Sequence, residues 1–290
     1  MYLYTVMEER GETLAAAWTQ DGPLYRLADL GVSYGSMLEL IEHMTLAELR
    51  TLSPAGKTPL EPGTYGLLAP IPRPRQDVLC LGINYADHAV ESARFHEQSF
   101  LLNREKATYF SKRAYETIGS GDPIPSYEGL VTELDYEVEL GVVIGKDCKK
   151  VSENEAPNYI FGYTIVNDVS ARNLQTEHNQ WYFGKSLDGF APMGPCIVTA
   201  DEIAFPPALD ISSTVNGELR QNSNTDHLLH SVAEIISELS QGMTLRAGTI
   251  IATGTPAGVG MGFTPPKFLK KGDVVTCEIK GIGKLTNTVE

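Results

Sequence analysis

Three features of this 290-residue sequence predict a mixed, β-rich α+β fold with a small N-terminal domain. From Val78 onward, short apolar runs rich in Val, Ile, Thr and Tyr recur between turn residues, as strands do. One stretch, TDHLLHSVAEIISELSQG (Thr225 to Gly242), carries the apolar stripe of a helix. Between 53 and 76 the chain is so dense in Pro and Gly that neither a helix nor a central strand fits. That stretch divides a small N-terminal domain, 1–72, from a large one, 73–290.

Within the small domain, MYLYTVM reads as a first strand and LYRLADLG as a second, shorter one. SMLELIEHMTLAELR has apolar residues at helical spacing and reads as one or two helices. The large domain offers DVLCLGIN, ATYFSKR, LDYEVELGVVIG, YIFGYTIVNDVS, CIVTADEI, ALDISSTVNGELR, GTIIATGT and DVVTCEIKGIGKLTNTV as strand-bearing runs. Asn-Gly inside TVNGEL is a strong hairpin signal, and GIGK marks another turn. In the one clear helix, Leu228, Leu229, Val232, Ile235, Ile236 and Leu239 form the stripe. Thr225 or Asp226 caps its start and Gly242 its end.

Hydrophobic residues make up 42% of the chain, enough for a full core. The net charge of −14 repels nucleic acid and anionic membranes, so neither is expected as a partner. An acidic balance commonly serves solubility; it also leaves carboxylates available to hold a cation. Cys80, Cys148, Cys196 and Cys277 lie far apart without a CxxC pair, so they read as buried free thiols of a reducing compartment. The N-terminus lacks a basic-then-apolar signal pattern, and no run approaches the roughly 18 apolar residues of a membrane span. A soluble cytoplasmic protein is expected.

The stretch ELDYEVELGVVIG, Glu133 to Gly145, alternates acids with apolar residues, so a strand here would place Glu133, Asp135, Glu137 and Glu139 on one face. For Glu133 and Asp135 a wetted acidic face is sufficient explanation. Glu137 and Glu139 run straight into an unbroken apolar end, where a strand is buried on both faces. Two carboxylates there repel each other and are costly to desolvate, and a divalent cation between them removes both penalties. In YIFGYTIVNDVSARNLQ the apolar run Ile160–Val166 ends in Asn167-Asp168. Asp168 is either a cap for the segment that follows or a third ligand; beside Glu137 and Glu139 the ligand reading gains weight. Ligands that are all oxygen point to Mg²⁺ or Mn²⁺, with Ca²⁺ a further option.

Several ordered motifs accompany these acids: GINYADHAVE, FSKRAYETIGSGDPI, DYEVELGVVIG, GYTIVNDVSARNLQ, QWYFGKSLDGFAPMGP, STVNGELRQ, and ATGTPAGVG followed by LKKGDVV. Over Val78 to Val289 the chain resembles the fumarylacetoacetate hydrolase superfamily. The set is specific to the superfamily and poorly specific for which member. The resemblance implies a compact mixed β-sheet roll, a variable N-terminal domain and a homodimer. It implies that Glu137, Glu139 and Asp168 hold a divalent metal, and that His88 and Glu91 form a catalytic dyad on a lid. It further implies that Lys185, Arg172, Gln175 and Thr255 contact the oxo-acid end of a substrate. Lys112 of the FxK motif is expected to bind substrate as well. Arg113 follows it where many members have Pro, which alters that pocket wall.

The residues themselves are compatible with these roles. His88 and Glu91, three apart, face each other on a helical turn; a carboxylate beside an imidazole suits general-base work, although exposed pairs of this spacing are common. Lys185 sits among turn residues and is either solvated or a counter-charge for the carboxylates and a substrate enolate. The glycines of ATGTPAGVGMG let backbone N–H groups approach an anion, and the loop matches neither GxGxxG nor a P-loop. Ser92–Lys106 would form the body of the lid. GVSYG (Gly31–Gly35) matches G-x-S-x-G but lacks a long βα framework. His227 and His230 read as flanking the helix stripe, and Trp181 and Tyr182 as packing.

The expected activity is divalent-metal-dependent hydrolysis of a C–C bond in an acylpyruvate-type 2-oxo (diketo) acid such as fumarylpyruvate. Oxaloacetate decarboxylation and isomerisation of a 2-hydroxyhepta-2,4-diene-1,7-dioate-type acid are alternatives on the same residues. A non-catalytic metal-binding β protein is the alternative from another class. A metal site requires the three carboxylates to converge without Lys and Arg taking the place of the ion.

Overall fold

Sixteen strands and six α-helices make up the computed structural model over its described residues, 1–95 and 106–290, the side chains of Arg94 and Phe95 excepted. The strands are β1 (Tyr2–Glu8), β2 (Gly11–Ala17), β3 (Tyr25–Arg26), β4 (Tyr65–Leu67), β5 (Val78–Leu81), β6 (Tyr109–Lys112), β7 (Leu134–Asp135) and β8 (Val138–Ile144). There follow β9 (Ile160–Asn167), β10 (Ser170–Ala171), β11 (Met193–Thr199), β12 (Asp210–Val215), β13 (Glu218–Asn224), β14 (Ile250–Ala252), β15 (Val274–Ile279) and β16 (Gly283–Thr288). The helices are α1 (Met37–His43), α2 (Leu46–Leu49), α3 (Ala86–Phe95), α4 (Arg172–Glu177), α5 (Tyr182–Lys185) and α6 (Val232–Gly242).

A ten-stranded sheet runs β3-β2-β1-β11-β9-β8-β14-β5-β6, with β4 also paired to β1. It is mixed: β14 and β5 are parallel, and the pairs β8–β9 and β8–β14 are antiparallel. A separate four-stranded sheet runs β13-β12-β15-β16, and β7 pairs with β10 alone. β8 and β9 are buried along their whole length, as their unbroken apolar runs require. The β-rich mixed fold expected from the sequence is the one observed. Residues 1–72 contribute β1 to β4 to the large sheet, joined through Tyr2 and Leu3 to Val198 and Ile197 of β11.

Several elements depart from the sequence expectation. LYRLADLG supplies only the two-residue β3 before a 3-10 turn, Leu27–Leu30. β2, GETLAAA, was not foreseen, because alanines carry little strand preference; pairing with β1 along its full length supplies what propensity lacks. The Pro-rich stretch holds β4 on the other edge of β1. The helix α6 starts later than expected. Ser231 caps it in a reciprocal capping box with Glu234, while Thr225–His227 forms a 3-10 turn of its own and Leu229 is exposed. The Asn-Gly hairpin is as expected: Asn216 (φ 51°) and Gly217 (φ 80°) turn β12 into β13, both left-handed as a two-residue primed turn demands.

All four cysteines are free and buried. Among the described residues, no helix is long and apolar enough to cross a membrane.

Candidate active site

The acidic stretch is not one strand. It breaks after Asp135: β7 turns away to pair with β10, Tyr136 and Glu137 bridge the gap, and β8 begins at Val138. Glu139 lies in β8, directly opposite Val166 of β9, and Asp168 follows the end of β9. The Asp168 N–H donates to the Glu137 carbonyl (2.9 Å), which joins the two segments. Glu137, Glu139 and Asp168 thereby converge, each offering a buried carboxylate oxygen within 4.8 Å of the others. Among the described residues, this is the one group of three such acids or His or Cys side chains that close.

Cations meet two of the three carboxylates. Lys185 Nζ donates to Glu137 Oε2 (2.7 Å) and to Asp168 Oδ2 (2.6 Å). Arg172 Nη2 lies 2.6 Å from Glu137 Oε1, and Lys112 Nζ lies 2.9 Å from Asp168 Oδ1. Neutralisation by Lys and Arg is therefore partial. Glu139 has no Lys or Arg pair among the described residues; its Oε2 accepts from Gly254 N (2.8 Å), and its Oε1 is buried without a hydrogen bond. Burial raises the Glu139 carboxyl well above the ordinary carboxylate range, and repulsion from Asp168 and Glu137 adds to it. Glu137 moves the other way: burial opposes its charge, but Lys185 and Arg172 outweigh that and hold it below the ordinary range. For Lys185 burial likewise opposes the charge, and attraction by Asp168 and Glu137 wins, keeping the ammonium protonated.

The donor set fits a hard divalent cation. It is all oxygen, buried, and leaves Glu139 Oε1 with neither a hydrogen bond nor an ion pair among the described residues, while Asp168 Oδ1 has only the Lys112 ammonium beside it. A buried carboxylate oxygen with no donor is costly unless a positive ion satisfies it.

The dyad is formed and is not a surface pair. His88 Nδ1 lies 3.1 Å from Glu91 Oε2 on α3, with His88 buried. Glu91 is held a second time, by the Gly258 N–H at 3.0 Å from Oε1 and 3.2 Å from Oε2. Gly262 makes room for it, since a Cβ there would fall 1.6 Å from Glu91 Oε1. The lid body expected at Ser92–Lys106 lies largely outside the described residues.

The glycine loop after β14 was expected to approach an outside anion. Its N–H groups are instead taken by the protein's own acids: Gly254 by Glu139, Gly258 by Glu91, and Gly260 (2.6 Å) and Met261 (3.1 Å) by Asp135. Asp135 also corrects the expectation of a wetted face. It is fully buried, and Arg172 Nε meets it at 2.9 Å.

The remaining expected site residues are placed as follows. Arg172 Nη1 donates to Gln175 Oε1 (3.1 Å), so these two form one unit with Asp135 and Glu137. Thr255 Oγ1 donates to the Val138 carbonyl at 2.9 Å. Lys185 is buried, not solvated. Lys112 Nζ donates to three main-chain carbonyls, those of Val169, Phe190 and Lys185, which occupies its ammonium N–H groups and anchors the turn that carries Lys185. Arg113 is exposed, with its N–H on Ser186 Oγ at 3.0 Å. Ser33 of GVSYG and His227 are exposed and join no site. Trp181 packs edge-on to Phe110 and against Gly82.

Three buried amides went unread in the sequence. Asn167 Oδ1 accepts the Glu137 N–H (3.0 Å); Asn84 ties Thr253 to His230; Gln221 Oε1 accepts the Val138 N–H (3.1 Å). Asn167 stands beside Asp168, at the end of an apolar strand, and Asn84 follows the apolar β5 four residues before His88; a polar group where an apolar run ends was the available signal. Gln221, on a different sheet, gave none.

A mixed sheet that carries a buried triad of acids able to hold a metal ion, a histidine–carboxylate pair and a buried lysine has the makings of an enzyme site, and the chain belongs to the fumarylacetoacetate hydrolase family. The family model for the fumarylacetoacetate (FAA) hydrolase C-terminal domain matches residues 77–290. The chain is 43% identical over 274 residues to the oxaloacetate tautomerase YisK of Bacillus subtilis (strain 168), covering 91% of this chain and 89% of that one. Among solved structures, it is similar to a fumarylacetoacetate hydrolase from psychrophilic Exiguobacterium antarcticum, with TM-score 0.88, 38% identity and coverage of 100% and 99%. It is also similar to a 2-hydroxyhepta-2,4-diene-1,7-dioate isomerase from Mycobacterium marinum, with TM-score 0.73, 32% identity and coverage of 100% and 98%. Members of this family are enzymes.

Proposed function

We propose that this protein catalyses proton transfer next to the carbonyl of a small 2-oxo diacid, the enol–keto interconversion of an oxaloacetate-type substrate. The observation that carries it is a histidine base, oriented by a doubly held carboxylate, beside a charge sink. Glu91 is fixed by both His88 and Gly258 N–H, and the buried triad beside it includes an unpartnered oxygen. The 43% identity to an oxaloacetate tautomerase favours this reaction over others the same residues support.

Glu137, Glu139 and Asp168 would hold a divalent cation, which when bound supplies Lewis-acid polarisation of the substrate's 2-oxo group. Glu91 accepts from His88 Nδ1–H, which leaves Nε2 to exchange a proton with the substrate carbon next to the carbonyl. Two of the three Lys185 N–H donors are on Glu137 and Asp168, which leaves the third to stabilise the oxygen that would gain charge as the enolate forms. Arg172 and Gln175 orient the oxo-acid end, and Lys112 holds the Lys185 turn in place. Tautomerisation then needs no water in the site.

Hydrolysis of an acylpyruvate is the second reading, favoured by the similarity to a fumarylacetoacetate hydrolase. It asks His88 to activate a water rather than to exchange a proton with carbon. The two are separated by product. Enol oxaloacetate, fumarylpyruvate and an unsaturated oxo-diacid would each be followed by loss of enol absorbance and by product identification, with Mg²⁺, with Mn²⁺ and with chelator. Enol loss without change of mass supports tautomerisation. Release of pyruvate with a second acid means hydrolysis, and pyruvate with CO₂ means decarboxylation. His88→Ala should lower tautomerisation by about 10²–10⁴-fold; an unchanged rate would remove His88 from the chemistry.

A further inference from the structure

We infer that Gln221, on the four-stranded sheet, is a positioning residue that sets the geometry of the acidic triad and of Thr255; this rests on the metal-holding role of the triad proposed above. Its amide is fully buried and uses all its hydrogen-bonding capacity, three bonds of four on the segments that carry the site. Gln221 Oε1 accepts from Val138 N (3.1 Å) and from Ser213 Oγ (2.9 Å). Gln221 Nε2 donates to Thr255 Oγ1 (2.7 Å) and to the Pro256 carbonyl (2.8 Å). Val138 is the residue between Glu137 and Glu139. Its N–H is held by Gln221 and its carbonyl by Thr255 Oγ1 at 2.9 Å, so one side chain fixes the backbone from which two of the three acids project.

The hairpin is built to deliver this side chain. From the Asn-Gly turn, Val215 pairs with Glu218 and Thr214 with Leu219; regular pairing would then set Arg220 opposite Ser213. A β-bulge intervenes, Arg220 is left without a partner in the ladder, and Gln221 stands opposite the buried Ser213. Since side chains alternate between faces, the extra residue moves Gln221 from the outer face to the inner one. The glycine loop comes down onto this bulge. A Cβ at Gly258, whose φ is +104°, would fall 2.0 Å from the Arg220 carbonyl oxygen and 3.1 Å from Gln221 Cα. The same loop residue holds Glu91 on its N–H, so bulge, loop, triad and dyad are in direct succession.

The test measures Mn²⁺ binding to the full chain, by electron paramagnetic resonance of free Mn²⁺, together with kcat and KM for enol oxaloacetate. Gln221→Met keeps the side-chain length and loses every bond. It is expected to weaken Mn²⁺ binding by about 10–100-fold, as loss of a group that orients metal ligands does. Ile211→Val trims the same buried layer of β12 without touching those bonds and is expected to bind Mn²⁺ as wild type does. Gln221→Glu keeps the acceptor for Val138 but sets an acceptor against the Pro256 carbonyl; its kcat is expected to fall about tenfold, the lower end of the loss seen when a group that orients metal ligands is altered. Folded Gln221→Met with wild-type Mn²⁺ affinity and kcat overturns the inference. Should that variant not fold, wild-type affinity and kcat in Gln221→Glu overturn it equally. Wild-type protein that takes up no Mn²⁺ would overturn the metal site and this inference with it, whereas normal uptake by both wild type and Gln221→Met removes the inference alone.

Discussion

Two sets of ion pairs in this molecule use the same residue types and differ in where they lie. On the rim, Arg246 meets Asp147 at 2.7 Å with side chains 55% and 49% exposed, and Lys284 meets Glu278 at 3.2 Å in similar solvent. In the centre, Lys112, Lys185 and Arg172 meet Asp135, Glu137 and Asp168 with no side chain more than 6% exposed. Water and salt screen the first set, so holding two long side chains together gains little. In the second set each charge was stripped of water, and removing one partner leaves the other stranded. The central cluster is thus poor as a source of net stability and strong as a means of fixing positions. Among the described residues it also leaves Glu139 without a cation of the protein's own.

The comparison can be broken most severely at that residue. Glu139→Gln is expected to abolish cation-dependent turnover while far-ultraviolet circular dichroism keeps its wild-type form; wild-type activity in the variant would end the case for the triad. Chelation of the wild-type protein should give the same loss of turnover, reversed by added Mg²⁺ or Mn²⁺. Next in size, Lys185→Met leaves Glu137 to Arg172 alone and Asp168 to Lys112 alone, and should cost about 3–5 kcal/mol in urea unfolding, the range for a broken buried pair. Asp135→Asn weakens the charge-assisted bonds to Arg172, Gly260 and Met261, and about 1.5–3 kcal/mol is expected by the same measurement. Arg246→Ala supplies the other limb: its unfolding free energy should lie within about 1 kcal/mol of wild type. A rim variant as costly as Lys185→Met would erase the distinction between the two sets.

The parts of the site that were legible in the sequence are those with a local signature. Glu137 and Glu139 showed as acids in alternation running into an apolar strand, Asp168 as an acid closing an apolar run, and His88 with Glu91 as a pair at one helical turn. The Asn-Gly hairpin and the buried pair β8 and β9 were readable for the same reason. Asp135 was not, because the Gly260 and Met261 N–H groups that make its burial tolerable are more than a hundred residues away, 125 for Gly260. β2 was missed because its alanines become a strand only through β1, and the start of α6 was misplaced because Thr225 and Ser231 both look like caps.

From residue order alone came the strand-rich class, the acids that converge and the pairing of His88 with Glu91, since periodicity and short-range spacing act within a few residues. Tertiary structure alone decided that Lys185 and Arg172 share those acids, that Glu139 has no ion pair among the described residues, and that Gln221 from another sheet holds Val138. Such facts depend on which distant groups are desolvated together, and no stretch of chain carries that by itself.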